Sequence, residues 1–258
     1  MVRATDPMTH FGPMLRHKSV THAFEDLSQS LRVLLEADYK ANRDGLLFVD
    51  RAEAVGNIET ALSSVFNAFH SLHDACDKVG IISTNDWYET PELAVVLALR
   101  NARHHNKANK IRTIYTYHVQ EAQRIDAIEQ YVFIDFPASE EGADTIDCFI
   151  SWADALEFLL LPRKERRISD STAQRIREYL GSDRFRQFAD AYQLPESRVF
   201  FNVVPLFVNA AAIVVPKIVN VIDTASTESK TFAMLFESME PADTKSPQVD
   251  AGPFLLPS

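Results

Sequence analysis

A mainly α-helical protein is what this chain predicts, and three observations predict it. Only seven of 258 residues are glycine, and Ala, Leu, Glu, Arg and Gln, all good helix formers, are abundant. Apolar residues recur at i, i+3 and i+4 over long stretches, the spacing of a helix with one buried face. Alternating apolar and polar runs of strand type are scarce, and "YVFIDF", residues 131–136, is the one short strand expected.

The elements follow in order. Pro7, Gly12 and Pro13 make residues 1–17 a mobile arm by composition. Periodicity starts near Val20, and Phe24, Leu27, Leu31, Leu34 and Leu35 mark a helix to about Asn42, with Gly45 of "NRDG" as its stop. A second helix spans Arg51 to Val79 on the face Ile58, Leu62, Val65, Phe66, Phe69 and Leu72, and Gly80 closes it. A third begins within "STNDWYETPEL". Pro91 suits a first turn, where a missing N–H costs nothing, with Thr90 as cap; a start at Thr84 or Asn85 is the alternative. Residues 111–130 are helical with poor period.

Pro137 and the acidic loop "ASEEGADT" end the strand and form the best candidate boundary. Helical patterns then cover Ile146–Leu161, Ser171–Leu180, Asp183–Tyr192 and Ser197 to about Ala225. Pro241, Pro247, Pro253 and Pro257 make 226–258 a loosely structured tail. The organisation expected is therefore an arm (1–17), a helical bundle (18–137), a C-terminal helical region packed on it (146–225) and the tail.

Composition narrows the function classes. The net charge of −10 argues against a surface that coats nucleic acid. Cys76 and Cys148 read as buried thiols of a reducing compartment, and the N-terminus has no apolar core of signal-peptide length, so a cytoplasmic protein is expected. Residues 199–216 carry no charge, but a membrane span needs about 20 predominantly apolar residues, and Asn202, Asn209 and two prolines interrupt this run. It reads as a buried helix, with a docking surface for a partner next and membrane association third. With so few glycines there is no phosphate-cradling loop, dinucleotide fingerprint or nucleophile elbow. His70 and His73, near Asp74 and Cys76, lack paired-ligand spacing and read as ordinary helix histidines, so no metal or other cofactor is expected.

One stretch departs from the acidic background. After the apolar run Leu93–Leu99 come Arg100, Asn101, Arg103, His104, His105, Lys107, Lys110 and Arg112, and no acidic residue lies between Leu93 and Gln120. Such an island attracts phosphate. On a helix Asn101 and His105 share one face, as do Arg100 and His104. Arg100 and His105 lie about 140° apart, within reach of a long arginine side chain. Together they are groups that metal-free RNA cleavage can use. Histidine acts as acid or base near neutral pH, arginine stabilises charge on the phosphate, asparagine orients either, and the RNA 2′-hydroxyl is the nucleophile. A second basic cluster, Arg163, Lys164, Arg166 and Arg167 of "PRKERR", reads as a phosphate-backbone contact or a solvated loop. Glu89 and Glu92 stand two or three turns before the island, placed to pair with Arg100 or Arg103.

"LRNARHH" is similar to the Arg-Asn-x-x-x-His motif of the HEPN superfamily, which there also follows an apolar helical stretch. Arg100, Asn101 and His105 occupy the motif positions, and His104 and Arg103 are auxiliary. The resemblance spans about residues 20–135. It implies a helical bundle of HEPN type with additional C-terminal helices and a metal-independent endoribonuclease. A homodimer in which two motifs meet, a toxin or defence setting, and an antitoxin or complex partner follow from the same likeness. RNA contact falls to Lys107, Lys110, Arg112, Arg163, Lys164, Arg166 and Arg167. Some HEPN members are binding modules, so a non-catalytic helical module binding RNA or a protein partner stands as the alternative.

Overall fold

The computed structural model describes residues 11–105, 111–122, 127–138, 146–223 and 225–257, without the side chains of 11–17, 104 and 105. It is mainly helical, with one small sheet.

The first half is a helical hairpin that holds a third helix. Helix α1 (Phe11–Asn42) and helix α3 (Arg51–Val79) are joined by the short α2 (Leu46–Val49). Gly45 makes the turn at φ 77°, a backbone region that favours glycine. The stripe Val20, Phe24, Leu27 and Leu34 of α1 buries against Ile58, Leu62, Val65, Phe66 and Phe69 of α3, with Leu31 partly buried beside it, while Leu35, read from the sequence as part of the same pattern, is exposed. Asp50 caps α3 by accepting from Glu53 N, and Gly80 in the left-handed region ends it. Ser83 and Asp86 form a reciprocal capping box at the start of α4 (Thr84–Glu89), and a separate helix α5 (Pro91–His105) follows. Both candidate start points are therefore used. Helix α5 is buried on nearly every side from Leu93 to Leu99. It packs on α3, α4, α9 (Asp170–Leu180) and α11 (Val204–Ile218), which is why its sequence lacks a polar face until Arg100.

The sheet is where the structure departs most from the sequence-based expectation. Its order is β2 (Phe149–Ser151), β3 (Val199–Asn202), β1 (Glu129–Asp135) and β4 (Gln248–Phe254). Strands β1 and β3 pair in parallel, Phe133 beside Phe200, while β2 and β4 run antiparallel to their neighbours. The single expected strand is thus one of four. The expected helix 146–161 is β2 followed by α7 (Trp152–Leu160), with Ser151 as the cap. The expected helix 197–225 is β3 followed by α11. "VFFN" is buried at all four positions; a central strand covered on both faces has no polar alternation and reads like a buried helix. Pro205 in the first turn of α11 marks the switch.

The stretch 226–258 is not a loose tail. Helix α12 (Thr227–Ser238) packs on α1 through Phe232 and Phe24, ring centres 5.1 Å apart. Strand β4 pairs with β1 along seven residue pairs, from Glu129–Phe254 to Asp135–Gln248. Pro253 is accommodated because β4 is an edge strand. The segments 18–137, 146–225 and 226–258 therefore meet in one sheet; of the mobile arm expected over 1–17, residues 11–17 are instead the first turns of α1, and 1–10 lie outside the described residues. Among the described residues, no helix is long and apolar enough to cross a membrane. Cys76 and Cys148 are free and buried, and burial pushes both thiols up to about 12.

Candidate functional site

The end of α5 and the facing side of α3 form a polar groove. Glu59, Ser63, Asn67, His70 and Asp74 recur every three or four residues, so they line one side of α3. Arg100 and Arg103 face them from α5. A cavity of about 680 Å³ lined by Glu59, Thr60, Ser63, Ser64, Asn67 and Arg103 adjoins a smaller one of about 60 Å³ that reaches Arg100.

Arg100 and Asn101 come together. The Arg100 guanidinium donates to the amide oxygen of Asn67 and to that of Asn101, each at 3.4 Å. No carboxylate forms an ion pair with it among the described residues, although Asp74 and Tyr88 are near enough to be felt. Partial burial therefore pulls its pKa down, and the cation is held by neutral acceptors. His105 ends α5 one turn beyond Asn101, but its side chain and that of His104 lie outside the described residues, as do Lys107 and Lys110 altogether.

His70, which from the sequence reads as an ordinary helix histidine, stands on the groove side of α3. Burial first, then the Arg100 charge, push its imidazole below the ordinary histidine range, against the pull of Asp74. It is neutral at pH 7. Its Nδ1 lies 3.4 Å from Asp74 Oδ1 without a hydrogen bond. His73 binds Asp74 through Nδ1 at 2.8 Å and Thr84 through Nε2 at 3.2 Å, and packs edge-on against Trp87. The donor atoms of His70, His73 and Asp74 lie within 4.8 Å of one another, a spacing open to a divalent ion. The Arg100 charge opposes a dication there, and two of the three groups are already bonded to each other. The signal that could have placed His70 beside Arg100 is the i, i+4 polar series on α3, which reads as a solvated face until α5 is placed against it.

The rest of the basic island divides. Arg103, only 10% exposed, donates to Glu59 Oε2 (2.5 Å), Ile111 O (2.7 Å) and Ser63 Oγ (3.3 Å). The Glu59 carboxylate also accepts from Thr113 and Thr116, both at 2.6 Å. Burial raises its pKa, yet the Arg103 charge and these bonds outweigh that and leave it below the ordinary range. Arg112 is bidentate to Asp154 at 2.7 and 2.8 Å, donates to Glu121, and lies over the Tyr117 ring, so its guanidinium is held charged still more firmly than usual. These ties lock the segment after α5 onto α3 and α7, and they turn Arg112 inward rather than toward RNA. Glu89 and Glu92 pair with neither Arg100 nor Arg103 among the described residues.

Arg166 is likewise a correction. Buried, it donates to the carbonyls of Leu159, Leu161 and Ile168 and pairs with Asp170, satisfying the open end of α7. Arg163 and Lys164 of α8 (Arg163–Arg166) are exposed, as is Arg167, whose φ of 60° closes that helix. Helix α8 packs on α5. His118, in the same acid-free stretch between Leu93 and Gln120, sits in the core, bonded to Tyr131 at 3.0 Å.

The chain matches no known protein family, no curated protein and no solved structure.

Proposed function

We propose that the α3–α5 groove binds RNA and cleaves it without a metal, in the manner of a HEPN endoribonuclease. The observation that carries this reading is Arg100: a half-buried guanidinium held by two amide oxygens, with no carboxylate in an ion pair with it among the described residues. Such a cation is ready to meet a phosphate. Asn101 orients it. His105 takes the proton of the 2′-hydroxyl, whose oxygen attacks the adjacent phosphorus; the 5′-oxygen leaves and collects a proton. Arg100 stabilises the negative charge that builds on the phosphate in between. Arg163 and Lys164 contact the backbone of the bound strand. A homodimer would bring a second His105 to the same phosphate. A cytoplasmic site, where Cys76 and Cys148 persist as thiols, and a toxin or defence role with a restraining partner belong to the same proposal.

Because Arg103, Arg112 and Arg166 are spent on internal partners, the basic surface left for RNA among the described residues is small. That favours, as a second reading, a module that binds RNA or a protein partner without cutting. An assay of purified protein on labelled RNAs in EDTA separates the two. Cleavage is expected to survive the chelator and to fall about 100-fold or more in Arg100→Ala and in His105→Ala, the size of loss typical for a transition-state charge stabiliser. Cutting by His105→Ala at the wild-type rate sinks the catalytic assignment. Retarded migration of RNA without cutting by folded wild type selects the module.

A further inference from the structure

A second cavity, away from α5, has chemistry of the opposite sign. Strand alternation puts Phe133, Asp135, Phe149, Asn202 and Phe254 on one face of the sheet. Over that face, beside the end of α1 and the start of α6 (Ile114–Glu121), lies a cavity of about 490 Å³, within the range of small-molecule sites. Its walls are the rings of Tyr115, Phe133, Phe149 and Phe254, and its polar groups include the carboxylates of Asp38 and Asp147.

The rings are locked. Phe133 meets Phe149 edge to face at 4.9 Å, and Tyr115 meets Phe254 the same way at 5.6 Å. The buried Tyr115 hydroxyl exchanges hydrogen bonds with Asn42, which donates to Asp38 at 2.7 Å. On the other side Asn202 donates to both Asp135 (3.0 Å) and Asp147 (2.9 Å). Two carboxylates, Asp38 and Asp147, thus line one mouth, each accepting from a side-chain amide, and Asp135 shares Asn202 with Asp147. Arg43 lines the same cavity but forms no ion pair with Asp38 or Asp147 among the described residues. Partial desolvation and the neighbouring charges of Asp135 and Asp38 lift Asp147, whose side chain is still open to solvent, to about 6; partial burial lifts Asp38 as well, against the pull of Asn42 and Arg43. Arg43 only partly offsets Asp38, and among the described residues no cation is paired with Asp147.

We propose that this cavity binds a small aliphatic amine of the polyamine class, its ammonium groups at Asp38 and Asp147 and its methylenes against the four rings. Ring faces attract an organic cation and shelter its carbon chain. Aromatic walls offer no ligand to a bare metal ion, and the two carboxylates disfavour a phosphate even with Arg43 in the wall. This site is independent of the α3–α5 groove and of its proposed activity.

The test is calorimetric titration of the full chain with spermidine at pH 7.5 and low salt, beside 1,4-butanediol and Mg²⁺. Saturable binding of one spermidine is expected, with no binding of the diol and no competition by Mg²⁺. Asp147→Asn and Asp38→Asn should each weaken it about tenfold or more, the worth of one charge-assisted hydrogen bond. Phe149→Ala should weaken it too. Thermal unfolding of each variant confirms that it is folded, and Asp147→Asn retains the hydrogen bond from Asn202. The proposal is overturned if spermidine does not saturate in the low millimolar range, if both Asn variants bind as wild type does, or if Mg²⁺ displaces spermidine.

Discussion

Glu59 should hold the α3–α5–α6 junction together, and removing it should cost far more than an exposed ion pair is worth. Its carboxylate is the common acceptor for the Arg103 guanidinium and for the hydroxyls of Thr113 and Thr116. Glu59→Ala strands a guanidinium that is 10% exposed and leaves two hydroxyls without their acceptor. Breaking one side of a buried ion pair costs about 3–5 kcal/mol, mostly from the uncompensated charge left behind. Glu59 itself is about a quarter exposed, so water can partly resolvate Arg103, and about 3 kcal/mol is the working figure. For a chain of this size that lowers Tm by on the order of 10 °C. Adding Arg103→Met in the same background should restore part of the loss, because no charge is then left unpaired. The pH dependence has a defined sign. The Glu59 pKa is lowered on folding, so its stabilisation is present above the unfolded carboxyl value and fades as pH falls through the folded one. Thermal and urea unfolding of the two single variants and the double variant, at pH 7 and pH 3, make the cycle. A loss below about 1 kcal/mol for Glu59→Ala, or additive losses in the double variant, would refute the reasoning.

Two other perturbations follow from the same kind of accounting. Asp147 is raised on folding from 3.8 to about 6, so its charged form opposes the fold and wild-type stability declines as pH rises through that interval. Asp147→Asn should therefore match or exceed wild type at pH 7.5, by about 1 kcal/mol after allowing for solvent screening, and lose that advantage below pH 4; a variant less stable at pH 7.5 contradicts this. Asn209, buried in α11, donates to Tyr179 Oη and Ala242 O and accepts from Ala242 N. Asn209→Ala orphans those groups and should cost about 3 kcal/mol, with faster amide exchange at Ala242 the specific sign; unchanged protection there would show that another group holds the segment after α12.

Some of this protein was decided by local pattern. The α1–α3 hairpin, its turn at Gly45, the cap at Gly80 and the buried run Leu93–Leu99 can all be read from spacing, because a helix forms its own hydrogen bonds and its period survives in the sequence. The polar break at Arg100 and Asn101 was legible for the same reason: it ends a face that is otherwise apolar. Three other things required the tertiary structure. Strands β2, β3 and β4 draw their hydrogen bonds from partners up to 125 positions away, as Glu129 does from Phe254, so "VFFN" looks like helix until β1 lies beside it. Which arginines stay available was settled by acids distant in the chain, Glu59 for Arg103 and Asp154 for Arg112. The aromatic cavity joins α1, α6 and strands from the middle and the C-terminal end of the chain. Periodicity reports what a segment does alone; pairing, neutralisation and cavities are properties of what folding brings next to it.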